Sequence, residues 1–121
     1  SSLAVCLETI LSYEGYSRDA QALLDQDYSA VEILEEAMPG AEILELQGCS
    51  LDSVLYYVNQ DIPVLFIGDD GEAVLIVGFN DLNTVWMNPA NGRVYKVGMN
   101  DSKEFFEENG NNFIAYLRNE D

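Results

Sequence analysis

The residue in this chain best suited to nucleophilic chemistry is Cys6, which lies within the first two turns of a predicted helix. A thiol reacts as its thiolate, and a helix N-terminus with a general base in hydrogen-bond reach favours that form. Free cysteines are also often buried as small apolar residues. Position alone therefore leaves two interpretations of Cys6 open, a nucleophile and a core residue.

The usual partners of such a thiol are scarce, because the 121 residues contain no histidine and two cysteines. Structural metal sites need clusters of closely spaced Cys or His. Cys6 and Cys49 are far apart in the sequence, so we expect no metal and no cofactor. Their spacing does not decide whether they form a disulfide.

Composition predicts one globular domain over residues 1–121, since 48% of the residues are apolar. Whether it is excised from a longer chain stays open, as does its oligomeric state. The 22 acidic and 5 basic residues give a net charge of −17. Such a surface repels nucleic acid and anionic lipid, whereas a basic peptide or protein would complement it. No apolar run approaches the roughly 20 residues of a membrane span.

The first half of the chain has helical periodicity. We predict helices over residues 3–13, 18–26, 29–38 and 50–59, and a short strand over 41–46. Ser2, Ser17 and Ser50 are the expected N-caps of the first, second and fourth helices. Gly15 is expected to end the first helix in the left-handed conformation.

The second half of the chain has strand patterns. We predict strands over residues 62–67, 72–79, 84–87, 93–97 and 112–117, with a hairpin turn at Asp69-Asp70-Gly71. The nearly unbroken apolar run 62–67 is typical of a central strand buried on both faces. A helix over 101–108 would begin with a capping box of Asp101 and Glu104. This order predicts an α+β fold with N-terminal helices packed on one side of a C-terminal antiparallel sheet.

Four segments together resemble papain-like cysteine peptidases of the double-glycine, bacteriocin-processing type. The first runs from Cys6 through Thr9, Ser12 and Tyr13 to Gly15-Tyr16. The other three are residues 61–67, then 72–81 with 85–89, and finally 92–95 followed by the Phe105-Phe106 helix and the closing strand 113–116. They cover nearly the whole chain in order. The resemblance implies a papain-like fold and a bacterial protein, and it leaves open whether the domain is secreted or displayed at the cell surface.

The resemblance also implies a site made of three positions. Cys6 falls on the nucleophile, Glu72 on the base and Asn88 on the residue that orients the base. Glu72 stands where the family has histidine, and a carboxylate beside a thiol favours the neutral thiol over the thiolate. Leu7 also replaces the small residue that usually follows the nucleophile. The family's oxyanion-hole Gln would lie before Ser1.

We therefore expect a catalytically inactive cysteine-peptidase-like domain that binds a peptide or protein, with a basic segment as the favoured ligand. One alternative is an active cysteine peptidase or amide hydrolase, with Cys6 as nucleophile and a non-histidine or externally supplied base. Another is a purely structural module of a larger protein.

Overall fold

Five helices and six strands make up residues 1–118, the part of the chain that the computed structural model describes. The helices are α1 (Ser2–Tyr13), α2 (Ala20–Asp25), α3 (Ala30–Ala37), α4 (Leu51–Val58) and α5 (Met99–Glu108). The strands are β1 (Glu42–Gln47), β2 (Val64–Ile67), β3 (Ala73–Phe79), β4 (Asn83–Met87), β5 (Val94–Gly98) and β6 (Asn112–Leu117). This confirms the predicted α+β class, and each predicted element is present within a few residues of its expected bounds.

The six strands form one antiparallel sheet in the order β1-β6-β2-β3-β4-β5. Strands β2 to β5 are a simple meander, because short turns join each strand to the next. The last strand, β6, lies between β1 and β2 and pairs with β1 over six residues. The chain therefore closes its sheet by bringing its C-terminal strand beside a strand from its first half.

Helices cover both faces of the sheet. The N-terminal helices α1, α2 and α3 share one face as predicted, whereas the prediction that all the helices lie on that side is wrong for α4 and α5. Successive strand residues point to opposite faces. Leu65 and Leu75 belong to the core under α1, α2 and α3, whereas Phe66 and Ile76 belong to the core under α4 and α5. The continuous apolar run of β2 requires this arrangement, because both faces of that strand must be kept from water.

Helix α1 is the element that carries the predicted nucleophile, and it packs against β3 and β2. Ser1, not Ser2, is its N-cap, since the Ser1 hydroxyl accepts a hydrogen bond from the N–H of Ala4 at 3.2 Å. Ser2 is therefore the first helical residue. At the other end, Gly15 has φ +88°, as expected for the left-handed turn after the helix.

Two other caps differ from expectation. Asp19, not Ser17, caps α2, with its carboxylate accepting from Ala22 N. Helix α5 begins at Met99 with no side-chain cap, so the predicted capping box of Asp101 and Glu104 is wrong and Asp101 lies in the first turn. The predicted cap Ser50 of α4 is confirmed.

Within residues 1–118 there is no helix with the length and apolar character that a bilayer crossing requires.

Candidate functional site

The thiol of Cys6 faces the interior of the protein. Cys6 is 0% exposed and belongs to the core beneath α1. Burial raises the pKa of its thiol to about 12, so the reactive thiolate is strongly disfavoured. Both Cys6 and Cys49 are free, which answers the open question of a disulfide.

The side chain that faces Glu72 is Ser2. Its hydroxyl donates a hydrogen bond to Glu72 Oε2 at 2.5 Å and accepts one from the N–H of Ala73 at 2.9 Å. Ser2 stands at the N-terminus of α1, one turn before Cys6. Sequence reasoning gave Ser2 only as a helix cap and missed its contact with Glu72. The available signal was its place at the start of a helix, where the dipole favours a nearby carboxylate.

Glu72 lies between the β2–β3 turn and β3. Its backbone N–H donates to Asp70 Oδ1 at 2.9 Å. Gly71, which lies between Asp70 and Glu72, has φ +84°. These features define the end of the turn and direct the Glu72 side chain to the start of α1. The predicted hairpin turn is thus confirmed, and Asp70 has a role in it that the sequence did not reveal.

Asn88 follows β4 and is engaged within its own turn. Its side-chain oxygen accepts from the N–H of Ala90 at 2.9 Å, and its backbone N–H donates to Arg93 O at 2.8 Å. The hydrogen bonds of residues 1–118 include none that joins Asn88 to Glu72, or Glu72 to Cys6. The structure thus pairs Glu72 with Ser2. The assignment of Cys6, Glu72 and Asn88 to nucleophile, base and orienting positions stays a prediction.

A groove runs along the exposed face of α1, and neither Ser2 nor Glu72 is among its lining residues. It consists of two adjoining depressions that share Thr9 and Tyr13. We call it the α1 groove, and its lining residues are Val5, Glu8, Thr9, Ser12, Tyr13, Asp61, Pro63, Leu75 and Val77. Two of these residues are carboxylates and none is basic. The α1 groove is therefore largely apolar with a negative charge bias.

Ser2 and Glu72 form a hydroxyl–carboxylate pair. A serine hydroxyl that donates to a carboxylate has a weak base beside it and no imidazole to carry the proton. Residues 1–118 contain no group of three or more Cys, Asp or Glu side chains that could hold a metal ion. The α1 groove offers apolar surface beside two acidic side chains, Glu8 and Asp61.

A solved structure has the same architecture. A crystal structure of a protein from Bacillus anthracis, provisionally described as a C39-like peptidase, superposes with a TM-score of 0.81 and 13% sequence identity. The match covers 99% of this chain and 90% of that one. No protein-family model matches the sequence, and neither does any curated protein. The chain therefore has the C39-like peptidase fold, which is consistent with the papain-like fold expected from the sequence.

Proposed function

We propose that this domain is a catalytically inactive member of the C39-like peptidase fold that binds a peptide or protein segment in the α1 groove. The observation that carries the proposal is the pairing of Ser2 with Glu72 while the Cys6 thiol is buried in the core. A thiol peptidase needs an accessible thiolate beside a base of near-neutral pKa. The Cys6 thiol is buried, and the hydrogen bond that the Glu72 side chain accepts comes from Ser2.

The α1 groove supports the binding half of the proposal. Val5 is 40% exposed and Val77 is 39% exposed, so apolar surface remains open on both walls. Largely apolar clefts with a few placed polar groups are the usual form of a binding site. An extended segment lying along the groove would cover this surface.

A basic ligand is favoured by charge. The net charge of the chain is −17, and the carboxylates in the groove lining are Glu8 and Asp61. Long-range attraction between exposed charges is screened over about 8 Å at physiological salt. Retention in 0.15 M salt therefore separates local recognition in the groove from diffuse attraction to the whole surface.

The test is retention of peptide pools on the immobilised domain in 0.15 M salt. We expect a lysine- and arginine-rich pool to be retained and a matched acidic pool to be lost. Thr9→Trp should fill the groove and abolish retention, while Thr9→Val, which keeps the groove open, should retain the basic pool. Equal retention of the two pools, or none, would contradict the proposal, and no retention would favour a purely structural module.

Catalysis needs a separate test, because an active hydrolase would also bind peptides. We expect no turnover of peptide or amide substrates by the native domain and no difference between it and Cys6→Ala. Turnover that disappears in Cys6→Ala would contradict the inactive assignment and establish the alternative of a Cys6 nucleophile with an unusual or external base.

A further inference from the structure

One depression of the α1 groove is deep enough to hold a side chain. It lies between α1 and β3, is lined by Thr9, Tyr13, Asp61, Pro63, Leu75 and Val77, and encloses about 140 Å³. We call this depression the Asp61 pocket. Cavities of about 150 Å³ accept a group the size of benzene. The volume of the Asp61 pocket therefore suits a single long side chain rather than a larger ligand.

The Asp61 pocket combines an apolar floor with a carboxylate. Val77 and the Tyr13 ring leave apolar surface open to the pocket, and Leu75 and Pro63 are buried behind it. Asp61 itself is exposed and stands just before β2. The pocket therefore presents apolar contacts along its depth and a negative charge beside solvent.

Backbone and side-chain contacts hold Asp61 in place. Its φ of +63° is a left-handed conformation that Asp and Asn adopt more readily than most residues. The hydroxyl of Tyr13 donates to Asp61 Oδ2 at 2.6 Å. This bond fixes the carboxylate beside the Tyr13 ring, another wall of the pocket.

The basic residue beside Asp61, Arg118, pairs with a different carboxylate. Arg118 forms a salt bridge with Glu14, with its Nε 2.9 Å from Glu14 Oε1, and its Nη2 donates to the backbone carbonyl of Asp61 at 2.7 Å. The salt bridges of residues 1–118 pair Arg118 with Glu14 and not with the Asp61 carboxylate. Counting Glu14, Arg118 and Asp61 together, one negative charge remains at the pocket.

We propose that the Asp61 pocket takes a lysine or arginine side chain of the bound segment, an inference that rests on the proposed binding function. The alkyl stem packs on the exposed side chains of Val77 and Tyr13, as the stems of lysine and arginine do on apolar surface. The cationic head forms a charge-assisted hydrogen bond with Asp61 and lies near the Tyr13 ring. The pocket thereby specifies one basic residue within the ligand, in addition to overall positive charge.

The test uses a defined probe, a capped five-residue alanine peptide with one central lysine, in an NMR titration of the isotope-labelled domain. The comparison peptide carries norleucine, which keeps the alkyl stem and lacks the charge. We expect the lysine peptide to shift the amide signals of Thr9, Tyr13 and Val77 and to bind at least about fivefold more tightly than the norleucine peptide.

Asp61→Asn removes the charge while keeping an acceptor for Tyr13 and a residue that tolerates the left-handed backbone. It should reduce lysine-peptide affinity to that of the norleucine peptide. Glu104→Gln, which removes one charge from α5 on the opposite face of the sheet, should leave it unchanged.

The outcomes separate this inference from the proposed function. Retention of the basic pool together with equal lysine-peptide affinity in the native domain and Asp61→Asn would overturn the pocket assignment and leave groove binding intact. Equal affinity for the lysine and norleucine peptides would do the same. If the native domain neither retains the basic pool nor binds the lysine peptide, the pocket assignment and the proposed binding function are both overturned.

Discussion

The hydroxyl of Ser2 joins the start of α1 to Glu72, a residue 70 positions later, through a hydrogen bond of 2.5 Å. The same hydroxyl accepts from the N–H of Ala73, the first residue of β3. The Ser2 side chain therefore provides a hydrogen-bond acceptor for the first backbone N–H of β3. It also positions the Glu72 carboxylate at the N-terminus of a helix, where the dipole stabilises negative charge. In this chain the junction of the helix and the sheet is a neutral hydroxyl paired with a carboxylate.

Ser2→Ala should weaken this junction. Both hydrogen bonds are lost, and the groups involved are only partly shielded from water, so we expect a fall of about 1 kcal/mol in the free energy of unfolding. Urea denaturation measures it. Ser12→Ala, a substitution on the exposed side of the same helix, is the matched control and should change stability by less than about 0.5 kcal/mol. Equal effects of the two variants would show that the Ser2 contacts contribute nothing specific.

The same geometry predicts that a reactive pair can be installed. In Ser2→Cys with Glu72→His, a thiol at the helix N-terminus would face an imidazole, the arrangement that lowers thiol pKa. We expect the double variant to react with iodoacetamide at pH 7 about tenfold faster than Ser2→Cys alone. The rate at that cysteine is read by mass spectrometry after proteolysis.

The carboxylate explains why the single variant should be slow. Ser2→Cys keeps Glu72, whose negative charge opposes ionisation of a neighbouring thiol. A comparison with Ser2→Cys plus Glu72→Gln isolates that charge and should give an intermediate rate. If the His-containing variant is no faster than the Gln-containing one, the Ser2–Glu72 geometry does not correspond to a nucleophile–base pair.

The Cys6 thiol should react very slowly in the folded protein. The pKa of Cys6 is raised to about 12 by burial, whereas Cys49 is partly exposed. At pH 8 in Cys49→Ser, we expect alkylation of Cys6 to be at least about a thousandfold slower than that of a free cysteine of ordinary pKa. Labelling followed by mass spectrometry measures the rate. Rapid alkylation of Cys6 under native conditions would contradict its burial, whereas labelling only in denaturant would agree with it.

The contacts of Glu14 with Arg118 and Tyr116 should make the stability of the fold depend on pH in the acid range. Burial alone would raise the pKa of Glu14, but hydrogen bonds from Arg118 and Tyr116 outweigh it and hold the pKa below its usual range. A carboxyl with a lowered pKa in the folded state contributes stability that is fully present above its unfolded pKa of about 4.3. That contribution is lost as pH falls through the folded pKa.

Glu14→Gln should therefore cost about 1 kcal/mol at pH 7, because Arg118 is partly exposed and glutamine can still accept from Tyr116, and the difference from the native domain should shrink as pH falls below about 4. Urea denaturation at a series of pH values measures it. The exposed α5 substitution Glu104→Gln is the control, with an expected difference below about 0.5 kcal/mol at pH 7. A Glu14→Gln cost that stays constant down to pH 2 would show that ionisation of Glu14 is not its source.

Much of the fold was accessible from the sequence because its signals are local. Helical periodicity, the Ser50 cap, the Asp69-Asp70-Gly71 turn and the apolar run of β2 each depend on neighbours a few residues away. The errors at Ser17 and Asp101 are also local, since several residues near each helix start could cap it and small differences in backbone geometry decide among them. The position of β6 between β1 and β2 was not accessible, because it depends on pairing between distant segments.

The sequence by itself determined that this is an acidic α+β domain without histidine and that Glu72 occupies an unusual place before an apolar strand. The tertiary structure decided which side chains meet. A turn of α1 points Cys6 into the core and Ser2 towards Glu72, and the fold brings Tyr13 to Asp61 across 48 residues. Helix rotation and strand register set these contacts, and both are fixed by burial of the whole core rather than by the residues of the site.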